Sequence, residues 1–302
     1  MFLPRFCLLS IAATTIAGLT LLGCQKAVAQ SVEHRAGAES SSGEERRPNR
    51  IQFQYVPPQN PRHEHVYKHV QDKFALEKIQ KLFSPFQLPI DLTVKTIGCD
   101  GRSNAWYQRA VVNLCYEYLD LIWQSATPEA TTAAGVTPID ALVGQFYYIV
   151  FHEFGHAMFD VLRIPVFGSA EDAADQFSTY MMLHLGKNDA RRLISGAAYS
   201  YRNSVQSTAA FVPLKAFSDM HGFPAQRFYN LLCIAYGADP TAFAYVVAKY
   251  LPEDRAAYCK QEYQEVAFAF KTLIDPHLDQ DLTKQIMNKE WLPPQNTEPL
   301  VD

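Results

Sequence analysis

Apolar and polar residues alternate over residues 51–56 (Ile-Gln-Phe-Gln-Tyr-Val), and Pro57-Pro58 then stops the run. A period of two ended by proline predicts a half-buried β-strand with a hard stop. From His65 to Leu82 the apolar positions Val66, Val70, Phe74, Leu76, Ile79 and Leu82 follow a helical spacing. Alternation returns over residues 90–97 and predicts a second strand. Two short β-rich pieces, 105–107 and 110–114, flank Gln108-Arg109 and predict a hairpin, after which Tyr116 opens a helix. The rest is helical, with breaks at Pro165-Val166-Phe167-Gly168, Gly222-Phe223-Pro224 and Gly237-Ala238-Asp239-Pro240. Strands first and helices later predict an α+β fold, with a small N-terminal sheet and a helical C-terminal half.

One helix breaks the amphipathic rule. Thr137-Pro138-Ile139-Asp140 is a strong start signal: a hydroxyl cap, a proline in the first turn and an acid at the third position. Residues 141–162 then show apolar side chains around nearly the whole circumference, which predicts a central, buried helix. Yet this stretch contains His152-Glu153-Phe154-Gly155-His156. Buried ionisable groups cost several kcal/mol unless they are paired or bind a metal. His152 and His156, four apart, project from one face and can share a Zn²⁺. Glu153 is offset by about 100° and can polarise a water without being a ligand. A buried histidine pair bonded to backbone or carboxylates is the structural alternative. Gly155 allows another backbone to approach the helix closely.

Zinc needs a third protein ligand. Ser169-Ala170-Glu171-Asp172 reads as a capping box that opens the next helix. On it Glu171 and Asp175 are four apart and share a face, and small Ala174 permits close packing. Glu171 is the expected ligand, and Asp175 is expected to hold a ligand histidine by its other ring nitrogen. Asp172 suits the helix dipole, and either aspartate is the fallback ligand.

At these residues the chain resembles the gluzincins, zinc metallopeptidases whose pattern is His-Glu-x-x-His followed by Glu-x-x-x-Asp on a later helix. The segment 171–177 is also similar to the third-ligand helix of bacterial repressor-cleaving metallopeptidases. Cys99 through 104–107 to 115–117, His152 to Ala157, Glu171 to Phe177, 221–229 and 233–240 together resemble a bacterial family of metallopeptidase type, DUF4344. The resemblance implies a zincin-like fold and a peptidase built on His152, Glu153, His156 and Glu171. It further implies an edge strand above the metal that pairs with extended substrate, for which Asn104, Ala105, Trp106 and Tyr107 are the candidates; an ordinary hairpin is the alternative. A zinc hydrolase also benefits from a donor to the developing oxyanion, and His221 is the candidate, with Arg227 and Tyr229 nearby. His63, His65 and His69 read instead as a solvated face.

Composition matters mainly at the ends. The 302 residues carry 48% hydrophobic and 19% charged side chains and a net charge of −4. A sizeable core is affordable, and nothing suggests a nucleic-acid surface. Residues 1–29 read as an export signal with a positive start at Arg5 and an apolar core over 6–22. Cleavage before Cys24 would give a lipoprotein, and cleavage after Ala29 an ordinary secreted chain. Residues 30–50 read as a disordered tether, because only Val32, Ala36 and Ala38 in residues 31–50 are apolar. A single domain over 51–292 and a tail over 293–302 remain. In an exported chain the natural disulfides are Cys99–Cys115 and Cys233–Cys259. The expected function is hydrolysis of a peptide or protein outside the cytoplasm, in the periplasm or at a membrane reached only through Cys24. A zinc-stabilised envelope lipoprotein that binds a peptide without cutting it is the rival, and a zinc amidase or deformylase is a third reading.

Overall fold

The computed structural model describes residues 49–206 and 214–292. The expected leader with Cys24, the expected tether up to residue 48 and the expected tail from 293 lie outside the described residues. Asn49 and Arg50 already belong to the fold: Arg50 pairs with Asp91 at 2.7 Å, and its carbonyl accepts from the Leu92 N–H.

Four strands form one mixed sheet in the order β1-β2-β4-β3. The strands β1 (Ile51–Tyr55), β2 (Leu92–Ile97) and β4 (Val111–Cys115) run parallel; β3 (Ala105–Gln108) returns antiparallel along β4. The β3–β4 turn is Arg109-Ala110, with φ of 52° and 61°. Two left-handed residues match the twist of a two-residue hairpin, although neither is glycine. The Tyr107 hydroxyl holds this turn by accepting from the Ala110 N–H at 3.1 Å.

The connection from β1 to β2 corrects one expectation. Residues 65–82 form two helices, α1 (Glu64–Asp72) and α2 (Ala75–Leu82), separated at Lys73-Phe74. Phe74 has φ 51° and is 62% exposed, so it bends the chain rather than joining the apolar stripe. The bend lets Val66 and Val70 of α1, and Leu76, Ile79 and Leu82 of α2, all reach the core.

After α3 (Tyr116–Ser125) comes a short helix that the pattern did not suggest, α4 (Pro128–Ala134), capped by Thr127. The long helix α5 (Pro138–Val161) starts where predicted, with the Thr137 hydroxyl accepting from the Asp140 N–H at 3.1 Å. Its neighbours are α6 (Ala170–Leu183) and α7 (Lys187–Gln206). Both contacts depend on glycine. A Cβ on Gly196 of α7 would lie 1.8 Å from the Asp140 carbonyl oxygen, and one on Gly155 would meet Ala174 Cα at 3.1 Å. The helices α8 (Pro224–Ala238), α9 (Ala244–Lys249), α10 (Glu253–Leu273) and α11 (Gln280–Met287) complete the fold. A disulfide joins Cys233 of α8 to Cys259 of α10, and another joins Cys99 to Cys115 at the end of β4. The architecture is α+β with a helical C-terminal half. Among the described residues no single helix is long and apolar enough to cross a membrane.

Candidate metal centre

Burial along α5 sets the problem that the site solves. Phe151 and Phe154 are fully buried, and Phe154 stacks on Phe83 of the segment after α2 at 3.8 Å between ring centroids. His152 and Glu153 are buried in the same turns, at 1% and 5% exposure. The close Gly155–Ala174 approach brings α6 against this part of α5 and delivers Glu171 and Asp175 to the histidines.

Three atoms converge. His152 Nε2 lies 3.1 Å from Glu171 Oε2, His156 Nε2 lies 3.3 Å from the same oxygen, and the two imidazole nitrogens are 3.2 Å apart. A tetrahedral zinc with ligands at about 2.0–2.1 Å separates its ligand atoms by about 3.3–3.4 Å, so the three side chains fit such an ion with little movement. His152 Nδ1 meets Asp175 Oδ1 at 2.7 Å, which fixes the tautomer that turns the Nε2 lone pair to the centre. Arg227 of α8 grips Asp175 with two bonds, Nε to Oδ2 and Nη2 to Oδ1, both at 2.7 Å. Its guanidinium also lies over the rings of Tyr148 and Tyr201.

Electrostatics agree with the donor set. Burial opposes charge on His152, but its bonds to Asp175 and Glu171 outweigh this and push its pKa up to about 9. Burial and the neighbouring His152 hold His156 below its usual value. The Glu171 carboxyl is drawn down to about 2, chiefly by its bond with His152. Burial opposes ionisation of Asp175, yet His152 and Arg227 keep it well below the usual carboxylate range. The raised His152 and the lowered Glu171 and Asp175 mark the cluster as a place that favours a cation. Metal and proton compete for it. Glu153 differs: burial pushes its pKa up to about 7, with Glu171 adding to the effect and His152 opposing it.

Of the remaining predicted residues, Tyr107 and His221 reach this cluster. β3 is an outer strand of the sheet and packs beside α5. Its Tyr107 hydroxyl donates to Asp160 Oδ2 of α5 at 2.6 Å, and the Tyr107 backbone N–H acts on the Glu153 carboxylate. Ala105 and Trp106 pair with Leu114 and Asn113, and the Asn104 carbonyl accepts from the Cys115 N–H. His221, in the segment before α8, places Nε2 2.9 Å from Glu171 Oε2 and Nδ1 3.2 Å from Asp219 Oδ1. Asp172 stays at the helix start, where its N–H bonds the Ser169 hydroxyl at 3.2 Å, and takes no place in the cluster.

The other histidines do not gather in this way. His65 pairs with Asp120 at 3.1 Å, and His69 packs its ring on Trp123. His63 is 7% exposed, so it is not part of a solvated face as the sequence suggests. The sequence places Arg227 near His221 but not on Asp175, and Asp219 behind His221 escaped it altogether. Arg227 lies 52 residues beyond Asp175, and no local spacing signals their meeting.

A family model described as "Putative metallopeptidase" (DUF4344) matches residues 55–274. No curated protein and no solved structure matches the chain.

Proposed function

The chain belongs to the DUF4344 metallopeptidase family, and from that premise we propose that it is a zinc-dependent peptidase acting outside the cytoplasm. The observation that carries this reading is the convergence of His152, His156 and Glu171 within 3.1–3.3 Å of one another beside the buried Glu153. His152, His156 and Glu171 would hold the metal. Bound zinc supplies a more acidic water and polarises the scissile carbonyl.

The protein's own groups do the rest. Asp175, kept ionised by Arg227, orients His152. Glu153, poised near neutrality, takes the proton of the attacking water and returns it to the leaving amine. The outer edge of β3 offers backbone partners to an extended substrate over Asn104, Ala105, Trp106 and Tyr107. His221, oriented by Asp219 on Nδ1, donates from Nε2 to the oxyanion that forms.

Two disulfides suit an oxidising compartment, which supports the export reading of residues 1–29. We include in the proposal a periplasmic location, with anchoring through Cys24 if cleavage precedes it. The test is metal analysis of the mature protein together with digestion of a peptide library with and without chelator. Stoichiometric zinc and chelator-sensitive cleavage are expected. Absence of zinc would overturn the metal assignment, and zinc without cleavage would leave the peptide-binding envelope protein as the correct reading.

A further inference from the structure

A cavity of 790 Å³ lies along α7, and none of its lining residues belongs to the histidine cluster. Asn188, Arg191, Ser195, Tyr199 and Arg202 of α7 line it. Their steps of three and four residues place them on one helix face. The stripe runs from Asn188 to Arg202, fourteen steps or about 21 Å of helix, so the cavity is a groove rather than a round pocket. Phe228 and Leu232 of α8 supply apolar lining, and Tyr245 and Lys249 of α9 add a phenol and an amine. The volume lies within the range of ligand sites, about 300–1,000 Å³.

Charge in the groove is not balanced. Arg192 is used internally by Asp140 at 2.8 Å and by Asp189 at 3.9 Å. Asp189 also accepts the backbone N–H groups of Trp291 and Leu292. Arg191, Arg202 and Lys249 have no carboxylate partner among the described residues, and Glu290 is the one acid on the wall left to face them. Two of these cations are held in place. Arg191 lies 5.0 Å over the Tyr245 ring, and Arg202 lies 5.2 Å over Tyr199. Arg202 also bonds the Ala130 carbonyl, while its buried Nε finds no hydrogen-bond partner. A guanidinium stacked on an aromatic ring is already ordered; Arg191 keeps its donors for a ligand, and Arg202 keeps Nη2, its Nη1 being bonded to Ala130 and its Nε buried.

Arg191 and Arg202 are eleven residues apart, about 16 Å along the helix. One phosphate or carboxylate cannot reach both. An extended chain rising about 3.3 Å per residue spans that distance in five residues. We propose that the α7 groove binds an extended acidic peptide segment whose carboxylates, about five residues apart, meet Arg191 with Lys249 at one region and Arg202 at another. The residues between would lay their side chains on Phe228 and Leu232, and the Ser195–Tyr245 hydroxyl pair and Asn188 offer bonds to its backbone.

Fluorescence anisotropy with a labelled Glu-Ala-Ala-Ala-Ala-Glu peptide and the intact protein tests this, in buffer containing zinc chelator so that hydrolysis plays no part. Saturable binding is expected, weakening with salt as ion pairs are screened. A peptide with lysine in place of both glutamates should bind at least tenfold more weakly. The double variant R191E/K249E, both residues exposed, should lose at least tenfold in affinity while keeping its melting temperature and zinc content. No saturation by about 1 mM peptide, an affinity no weaker than about 4 kcal/mol in free energy being the threshold, would overturn the proposal. So would undiminished binding to the double variant. Displacement by inorganic phosphate at constant ionic strength would reassign the groove to a small anion.

Discussion

Replacing Arg227 by methionine removes the clamp on Asp175 while keeping a chain of similar reach. Asp175 receives three bonds at 2.7 Å, one from His152 and two from Arg227. The substitution takes away two of the three. Both partners are largely buried, at 15% and 13% side-chain exposure. Breaking such a pair leaves an uncompensated carboxylate and costs about 3–5 kcal/mol. Asp175 can recover part of that loss by taking up a proton, which weakens its hold on His152 Nδ1. Loss of such support behind a ligand histidine typically lowers metal affinity about 10–100-fold, or about 1.4–2.7 kcal/mol. The assay is zinc competition against a fluorescent chelator, with thermal melts of the metal-free protein alongside. Arg227→Lys, which restores charge but not the two-pronged grip, should fall between wild type and Arg227→Met. A zinc affinity of Arg227→Met within about twofold of wild type would refute the argument that Arg227 acts through Asp175.

Glu153→Gln should keep zinc and lower kcat/KM by about 10²–10⁴ in a peptide-cleavage assay, as expected for a lost general base. The same variant carries a stability signature. The folded-state pKa of Glu153 is raised from 4.5 to about 7, so its favourable contribution is complete below 4.5 and disappears as pH rises through 7. Metal-free Glu153→Gln should therefore be more stable than wild type by about 3 kcal/mol near pH 8 and by little near pH 5, read from denaturant melts. Gly196→Ala puts a Cβ against the Asp140 carbonyl and should destabilise by about 3 kcal/mol or more, seen as a loss of soluble protein or a large fall in Tm. Replacing Cys233 and Cys259 together by alanine opens a link spanning 26 residues and should cost about 3.5 kcal/mol in equilibrium unfolding.

Much of the fold was legible because its signals are local. The alternation at residues 51–56 and 90–97, the Thr137 cap and the apolar circumference of α5 each depend on neighbours along the chain. The αL bend at Phe74 was not legible, since a phenylalanine carries no mark of the conformation that packing imposes on it. Nor was α4, whose short Thr-Pro-Glu start sits in a weakly patterned stretch.

The sequence by itself determined the donor types and their helical faces. His152 and His156 share a face because a helix repeats every 3.6 residues, and Glu171 and Asp175 share one for the same reason. Tertiary structure alone decided that these two faces meet. That depends on Gly155 and Ala174 letting the helices touch, and on Arg227 and His221 arriving from beyond a long intervening helix. Periodicity acts over three or four residues, whereas the energies of buried charges depend on what the whole fold places within a few ångströms of them.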